Sequence, residues 1–131
     1  MRRWIGLLMV VVTASAWGQA GLSTKWEELT GPDFIKAIQQ AQGVCILPFG
    51  ILEKHGAHLP LGTDLINVRY AVEHATQQEY AVIFPPYYFG QIAEARQQPG
   101  TVSYSMHMQL DLLQETTDEM ARNGCKKVII V

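Results

Sequence analysis

Residues 44–64 read VCILPFGILEKHGAHLPLGTD. The first part, Val44 to Phe49, is a continuous apolar run closed by Pro48 and Gly50, the pattern of a strand buried on both faces. The second part sets Glu53, His55, His58 and Asp64 within a dozen residues of one another. A buried strand that hands over to a crowd of carboxylates and imidazoles is what an α/β protein needs at the carboxyl edge of its sheet, where ligands collect.

Working outward, the chain alternates helix-like and strand-like stretches. Phe34, Ile38 and Ala41 recur at helical spacing; Thr30 with Asp33 forms a capping-box-like start and Gly43 a stop, so a helix is expected over residues 32–42. Leu65, Val68, Val72 and Ala75 mark a second helix, followed by a strand over residues 80–84 that Pro85 and Pro86 halt. Residues 87–105 are rich in Gly, Gln, Tyr and Pro, and too long for a mere connector, which marks them as functional. Met108, Leu112, Thr116 and Met120 predict a third helical face, ended by Asn123 and Gly124, before residues 126–131 begin another buried strand.

Strict alternation predicts an α/β fold, three layers α/β/α around a mostly parallel sheet with right-handed crossovers, apparently truncated after the third strand. The same rule brings the loop after Phe49 and the loop after Phe84 to one rim of the sheet. A length of 131 residues, 48% hydrophobic and 17% charged, suits one core and not two domains. A net charge of -2 and no Lys/Arg run give no electrostatic footprint for nucleic acid, which is not expected as a partner.

Residues 1–20 obey a different grammar. Arg2 and Arg3 precede the apolar residues 4–13, and small residues come next at Ala14, Ala16, Gly18 and Ala20, the layout of a secretory signal peptide. The run is short of the roughly 20 apolar residues of a spanning helix, so export with removal is expected rather than anchoring, leaving residues 21–131 as a periplasmic or secreted domain with no membrane attachment. An oxidising compartment permits a disulfide between Cys45 and Cys125. Each sits beside a strand-like apolar run, however, where cysteines more often pack separately as small hydrophobes.

The residue types in the central segment suggest chemistry. Glu53 and His55 are two apart, so in an extended segment both face one side. Gly56 gives the backbone room to turn and Pro60 stiffens the loop beyond it. Asp64 opens the next helix, placed to cap it and to offer an oxygen to a cation. A carboxylate shared by two divalent ions helps hold them the ~3.5–4 Å apart that lets both polarise one water. Nitrogen and oxygen donors without thiolate favour Zn, Mn or Fe over Ca or Mg, and the segment is neither HExxH nor a Cys/His finger. The plainer alternative is a helix cap, an ion pair and solvated imidazoles.

The stretch EKHGAHLPLGTD, residues 53–64, closely resembles the E-x-H-G-x-H-L-P-x-G-T-D signature of the creatininase family of metal-dependent amidohydrolases. The likeness extends to Gly90, to PGTVS at residues 99–103 and to NGCKKVIIV at residues 123–131. It implies a creatininase-like α/β fold and two divalent ions, with Glu53 binding one, His55 the other and Asp64 bridging them. His58, Glu94, Gly100 and Thr101 fall in positions suited to a pocket or to supporting the ligands. In the family, the strand matching residues 128–131 runs into an Asn-Gly-His motif that supplies another ligand, so the chain resembles an amino-terminal half that alone would hold metal weakly or not at all. Ala95 comes after Glu94 where many relatives carry histidine, and Gln98 precedes Pro99 where phenylalanine is common. The resemblance therefore carries the reaction class and not creatinine as substrate.

The function expected is hydrolysis of a C–N bond in a small or cyclic amide by a metal-activated water, with a homo-oligomer as the full-length assembly. An inactive remnant, an accessory exported domain and a related peptidase are the competing readings. His74 and His107 read as surface or helix-start imidazoles, Tyr87, Tyr88 and Tyr104 as packing aromatics, and Glu94 and Arg96 most simply as solvated loop charges, a pocket role being the lesser option.

Overall fold

The computed structural model describes residues 21–131. The signal-peptide reading of residues 1–20 lies outside them. Three parallel strands form the sheet: β1 (Val44–Leu47), β2 (Val82–Ile83) and β3 (Lys127–Ile130), in the order β2-β1-β3. Three helices accompany them, α1 (Gly31–Gln40), α2 (Thr63–Ala75) and α3 (Met106–Arg122).

α1 begins as its sequence predicts. The Asp33 amide donates to Thr30 Oγ1 and the Thr30 hydroxyl donates to the Asp33 carboxylate, with Pro32 in the first turn where its missing N–H costs nothing. Those bonds, with Lys36 beside them, hold the Asp33 carboxyl below its ordinary range. The helix ends at Gln40, two residues short of expectation, because Gln42 and Gly43 both adopt positive φ to turn the chain into β1.

Alternation along β1 divides the core. Cys45 and Leu47 face Ala37 of α1, Ala41 at its C-cap and Met120 of α3, whereas Ile46 faces Val68 and Val72 of α2. The chain crosses from β1 outward to β2 and then back over β1 to β3, so right-handed connections in both directions put α2 and α3 on opposite faces. The two buried clusters show this arrangement, which is the three-layer α/β/α architecture. Reversal of strand order about β1 makes its carboxyl end the switch point of the sheet.

The outer edge of β2 is covered by residues 22–26. Ile83 N–H donates to the Thr24 carbonyl, Lys25 bridges Ile83 in parallel, and Tyr80 donates to the Ser23 carbonyl. Arg69 of α2 fastens this segment by donating to Glu27 and to the Phe84 carbonyl. Such a cover removes an open strand edge.

Three expectations need correction. Among the described residues β3 lies at the sheet edge, where a buried strand was expected: Ile129, Ile130 and Val131 are about half exposed, while Val128 packs against the core and nothing pairs with the far side of the strand. Met108 is exposed near the start of α3, and the helix touches the core through Leu113 and Met120, its later turns. Cys45 and Cys125 are joined in a disulfide. Cys125 lies before β3, on the turn from α3 that swings back under β1, and both residues belong to one buried cluster with Cα atoms 5.8 Å apart.

That bond links positions 80 residues apart, closing a long loop in the unfolded chain. Cys125→Ala is expected to lower stability by about 2–4 kcal/mol in urea denaturation. A thiol reductant should bring the wild type to the variant's midpoint while leaving the variant unchanged.

Candidate metal centre

β1 ends at Leu47, and the chain leaves the sheet over Pro48 and Gly50, which are buried. Two loops meet there. Gly50 N–H donates to the Tyr87 carbonyl, and Phe49 bridges Tyr87 in parallel, so the exits of β1 and β2 lie together as the strand order required. Tyr87 is buried between Phe49 and Phe89, a packing role, and burial pushes its phenol above the ordinary range.

The ligand segment is then pinned on both sides. Glu53 N–H donates to the Leu61 carbonyl, which folds residues 53–61 into a compact loop. Val102 N–H donates to the Leu52 carbonyl in an antiparallel bridge, which brings the segment after residue 98 alongside. Residues 98–101 make the turn that permits this. Thr101 N–H donates back to the Gln98 carbonyl, Pro99 supplies its fixed φ, and Gly100 takes φ +81°, as the third position of a type II turn demands. A Cβ on Gly100 would stand 2.2 Å from Leu61 Cδ1, so this turn is pressed onto the ligand loop.

Within that frame Glu53, His55 and Asp64 converge. One ligand atom from each lies within 4.8 Å of the others, and all three residues are half-buried. Glu53 and His55 come from alternate positions of the exit segment, and Asp64 from the first turn of α2. Asp64 does not cap its helix, contrary to expectation. Gly62 holds the N-cap position and makes no side-chain cap bond, which leaves the Asp64 carboxylate for the cluster.

His55 Nε2 stands 3.4 Å from Asp64 Oδ1 yet makes no hydrogen bond, although the atom is buried. An imidazole nitrogen and a carboxylate oxygen are both donor atoms that a divalent cation can share. Two donors each about 2.0–2.1 Å from one tetrahedral ion stand about 3.3–3.4 Å apart, so the observed spacing fits a shared ion. The donor set, nitrogen and carboxylate without thiolate, suits a borderline divalent metal.

The other expected residues are not in this cluster. His58 is exposed, its ring folded over Gly56. Glu94 is exposed in a short 3-10 turn, Ala93–Ala95. Gly100 acts through its turn. Thr101 has a buried hydroxyl with no partner, directly beside the ligand segment. Sequence reasoning passed over Lys54, whose ammonium reaches Gln98 Oε1 at 3.3 Å and ties the two loops together; alternation, which turns residue 54 away from its neighbours, was the available signal. It also missed Arg69, for which no motif exists.

A family model described as Creatininase: Creatinine amidohydrolase matches residues 27–131. A creatinine amidohydrolase from Pseudomonas putida is 23% identical over 109 residues, covering 79% of this chain and 42% of that protein. Among solved structures, one described as Creatininase Mn aligns with a TM-score of 0.76 at 23% identity, over 82% of this chain and 44% of the other. A mutant creatininase of Zn-Zn type gives the same values. The chain thus spans less than half the length of the relatives it matches.

The approach of β1's exit to α2 fixes the ligand spacing, and it depends on Gly50, where a Cβ would lie 2.6 Å from the Leu65 backbone, next to Asp64. Gly50→Ala is expected to cost about 1–3 kcal/mol in thermal or urea denaturation and to reduce divalent-ion uptake in the intact protein. Gly31→Ala, where a Cβ meets nothing within 4 Å, should change neither.

Proposed function

The chain belongs to the creatininase family, and from that premise we propose that it forms part of a metal-dependent amidohydrolase that cleaves a C–N bond of a small or cyclic amide. The observation that carries the reading is the convergence of Glu53, His55 and Asp64 at the carboxyl end of the central strand. Two divalent ions, Zn or Mn, are the proposed cofactors; the relatives described as Zn-Zn type and Mn support the choice.

In this reading Glu53 would hold one ion and His55 the other, and Asp64 would serve both. When bound, the ions supply Lewis acidity that makes water a nucleophile near neutral pH and polarises the amide carbonyl. The chain's own part is positional. Asp64 would lessen the repulsion between the cations, the Glu53–Leu61 backbone bond fixes the direction of the ligand loop, and Tyr87 packs against Phe49 and Phe89 where the chain leaves β1. His58 and Glu94, both exposed near the loops, are proposed as pocket groups. The proposal stops at reaction class, because Ala95 and Gln98 depart from the family pattern where substrate specificity would be set.

We place the protein outside the cytoplasm. The pattern of residues 1–20 and the Cys45–Cys125 disulfide support this. Assembly of the whole protein as a homo-oligomer rests on the family resemblance.

Asp64→Asn in the intact protein is expected to lower metal content at both positions, since one side chain serves both. Elemental analysis finding two ions per chain retained in the purified variant rejects the bridging role. Product analysis against a panel of small amides, cyclic amides and short peptides checks the reaction class, and cleavage confined to the peptides would replace the amidohydrolase with a peptidase.

A further inference from the structure

Among the described residues three buried side-chain polar atoms lack a hydrogen-bond partner, and two of them, His55 Nε2 and Thr101 Oγ1, belong to the same pair of apposed segments. The first is accounted for by the ligand cluster. The second is not, and a hydroxyl is rarely left unpaired in a protein interior without a partner to meet.

The register of the apposed segments says which partner is within reach. Leu52 and Val102 face one another in an antiparallel bridge, and the Val102 N–H donates to Leu52 O at 2.9 Å. Carried one step along each segment, that register sets Thr101 across from Glu53. Residues directly opposed in an antiparallel pair present their side chains to the same face, with Cβ atoms about 4.5–5.5 Å apart. Alternation puts His55 on that face as well. The Thr101 hydroxyl is therefore on the ligand side of the segment, and Leu52 and Val102 are on the other.

Thr101 is also held in place. Its amide is used by the Gln98–Thr101 turn, Gly100 before it is wedged against Leu61, and its β-branched side chain has few rotamers. Glu53 needs such a fixed neighbour, because a ligating carboxylate has a second oxygen, and a glutamate has three rotatable bonds with which to swing it.

We propose that Thr101 is a positioning residue of the metal centre, its hydroxyl donating a hydrogen bond to the Glu53 carboxylate and so fixing which oxygen faces the cation. This rests on the reading of Glu53, His55 and Asp64 as metal ligands. The bond is made when Glu53 turns to bind. In the metal-free protein the hydroxyl contributes nothing to the fold.

The test compares Thr101→Val, which keeps shape and loses the hydroxyl, with Thr101→Ser, which keeps the hydroxyl, in the intact protein. Zinc is titrated against a competing chelator, and melting is recorded with and without the ion. Thr101→Val is expected to weaken zinc binding about 10–100-fold, as loss of a hydrogen bond to a ligating side chain does, with Thr101→Ser restoring it. The metal-free melting temperature of Thr101→Val should equal or exceed that of the wild type. Unchanged zinc affinity in Thr101→Val, against a wild type that binds, overturns the role of Thr101 alone. A metal-free Thr101→Val that melts as far below wild type as the loaded form does also overturns it, since that is the mark of plain packing. A wild-type protein that takes up no zinc or manganese defeats the ligand reading itself, and this proposal with it.

Discussion

The whole arrangement depends on β1 being hydrogen-bonded along both edges and covered on both faces. A strand so placed has no room for ionisable side chains, since every residue from Cys45 to Leu47 meets apolar neighbours. Charged chemistry can therefore begin only where the backbone escapes the sheet. It escapes at Pro48 to Gly50, and the next outward positions are the ones that carry Glu53 and His55. Because strand order reverses about β1, the loops after β1 and β2 leave from adjacent positions, and α2 starts close enough to Gly50 for Asp64 to reach the same point.

Crowding two carboxylates and an imidazole is unfavourable unless something else holds them or a cation joins them. Here the restraint comes from the backbone. The Leu61 and Leu52 carbonyls each accept an amide, Pro60 and Pro99 stiffen the two turns, and Gly100 allows one turn to press on the other. None of these contacts uses a ligating side chain. His55 Nε2 is correspondingly left without a hydrogen-bond partner, 3.4 Å from Asp64 Oδ1. The Arg122–Glu119 pair on the surface of α3 differs, its charged atoms being joined by hydrogen bonds.

What was legible in the sequence was local. Thr30 with Asp33 announced α1, the run from Val44 announced β1, and the spacing of Glu53 and His55 announced a shared face, because each signal lies within a few residues of its effect. What was not legible depended on distance or on choice between equals. The Cys45–Cys125 bond spans 80 residues, and whether two cysteines pair is settled by the return path of α3, which neither cysteine encodes. Asp64 reads as the cap of α2 from sequence, whereas Gly62 holds that position, where the chain packs Leu65 against Gly50. Among the described residues β3 pairs along one edge only, a fact of topology to which its apolar sequence is blind.

The same contrast bears on how the two loops came to share one site. Residues 87–105 carry few groups of obvious chemistry, and their length alone marked them. Their contribution is to bring backbone to the ligand segment: Tyr87 accepts from Gly50, Val102 donates to Leu52, and Gln98 meets Lys54. A loop that pairs with the ligand segment at several points transmits its own geometry to Glu53 and His55, so changes far from the donors can alter their spacing without touching them. The departures from the family pattern at Ala95 and Gln98 fall in this loop and not among the donors. Both lie outside Glu53, His55 and Asp64, the three groups that converge at the end of β1.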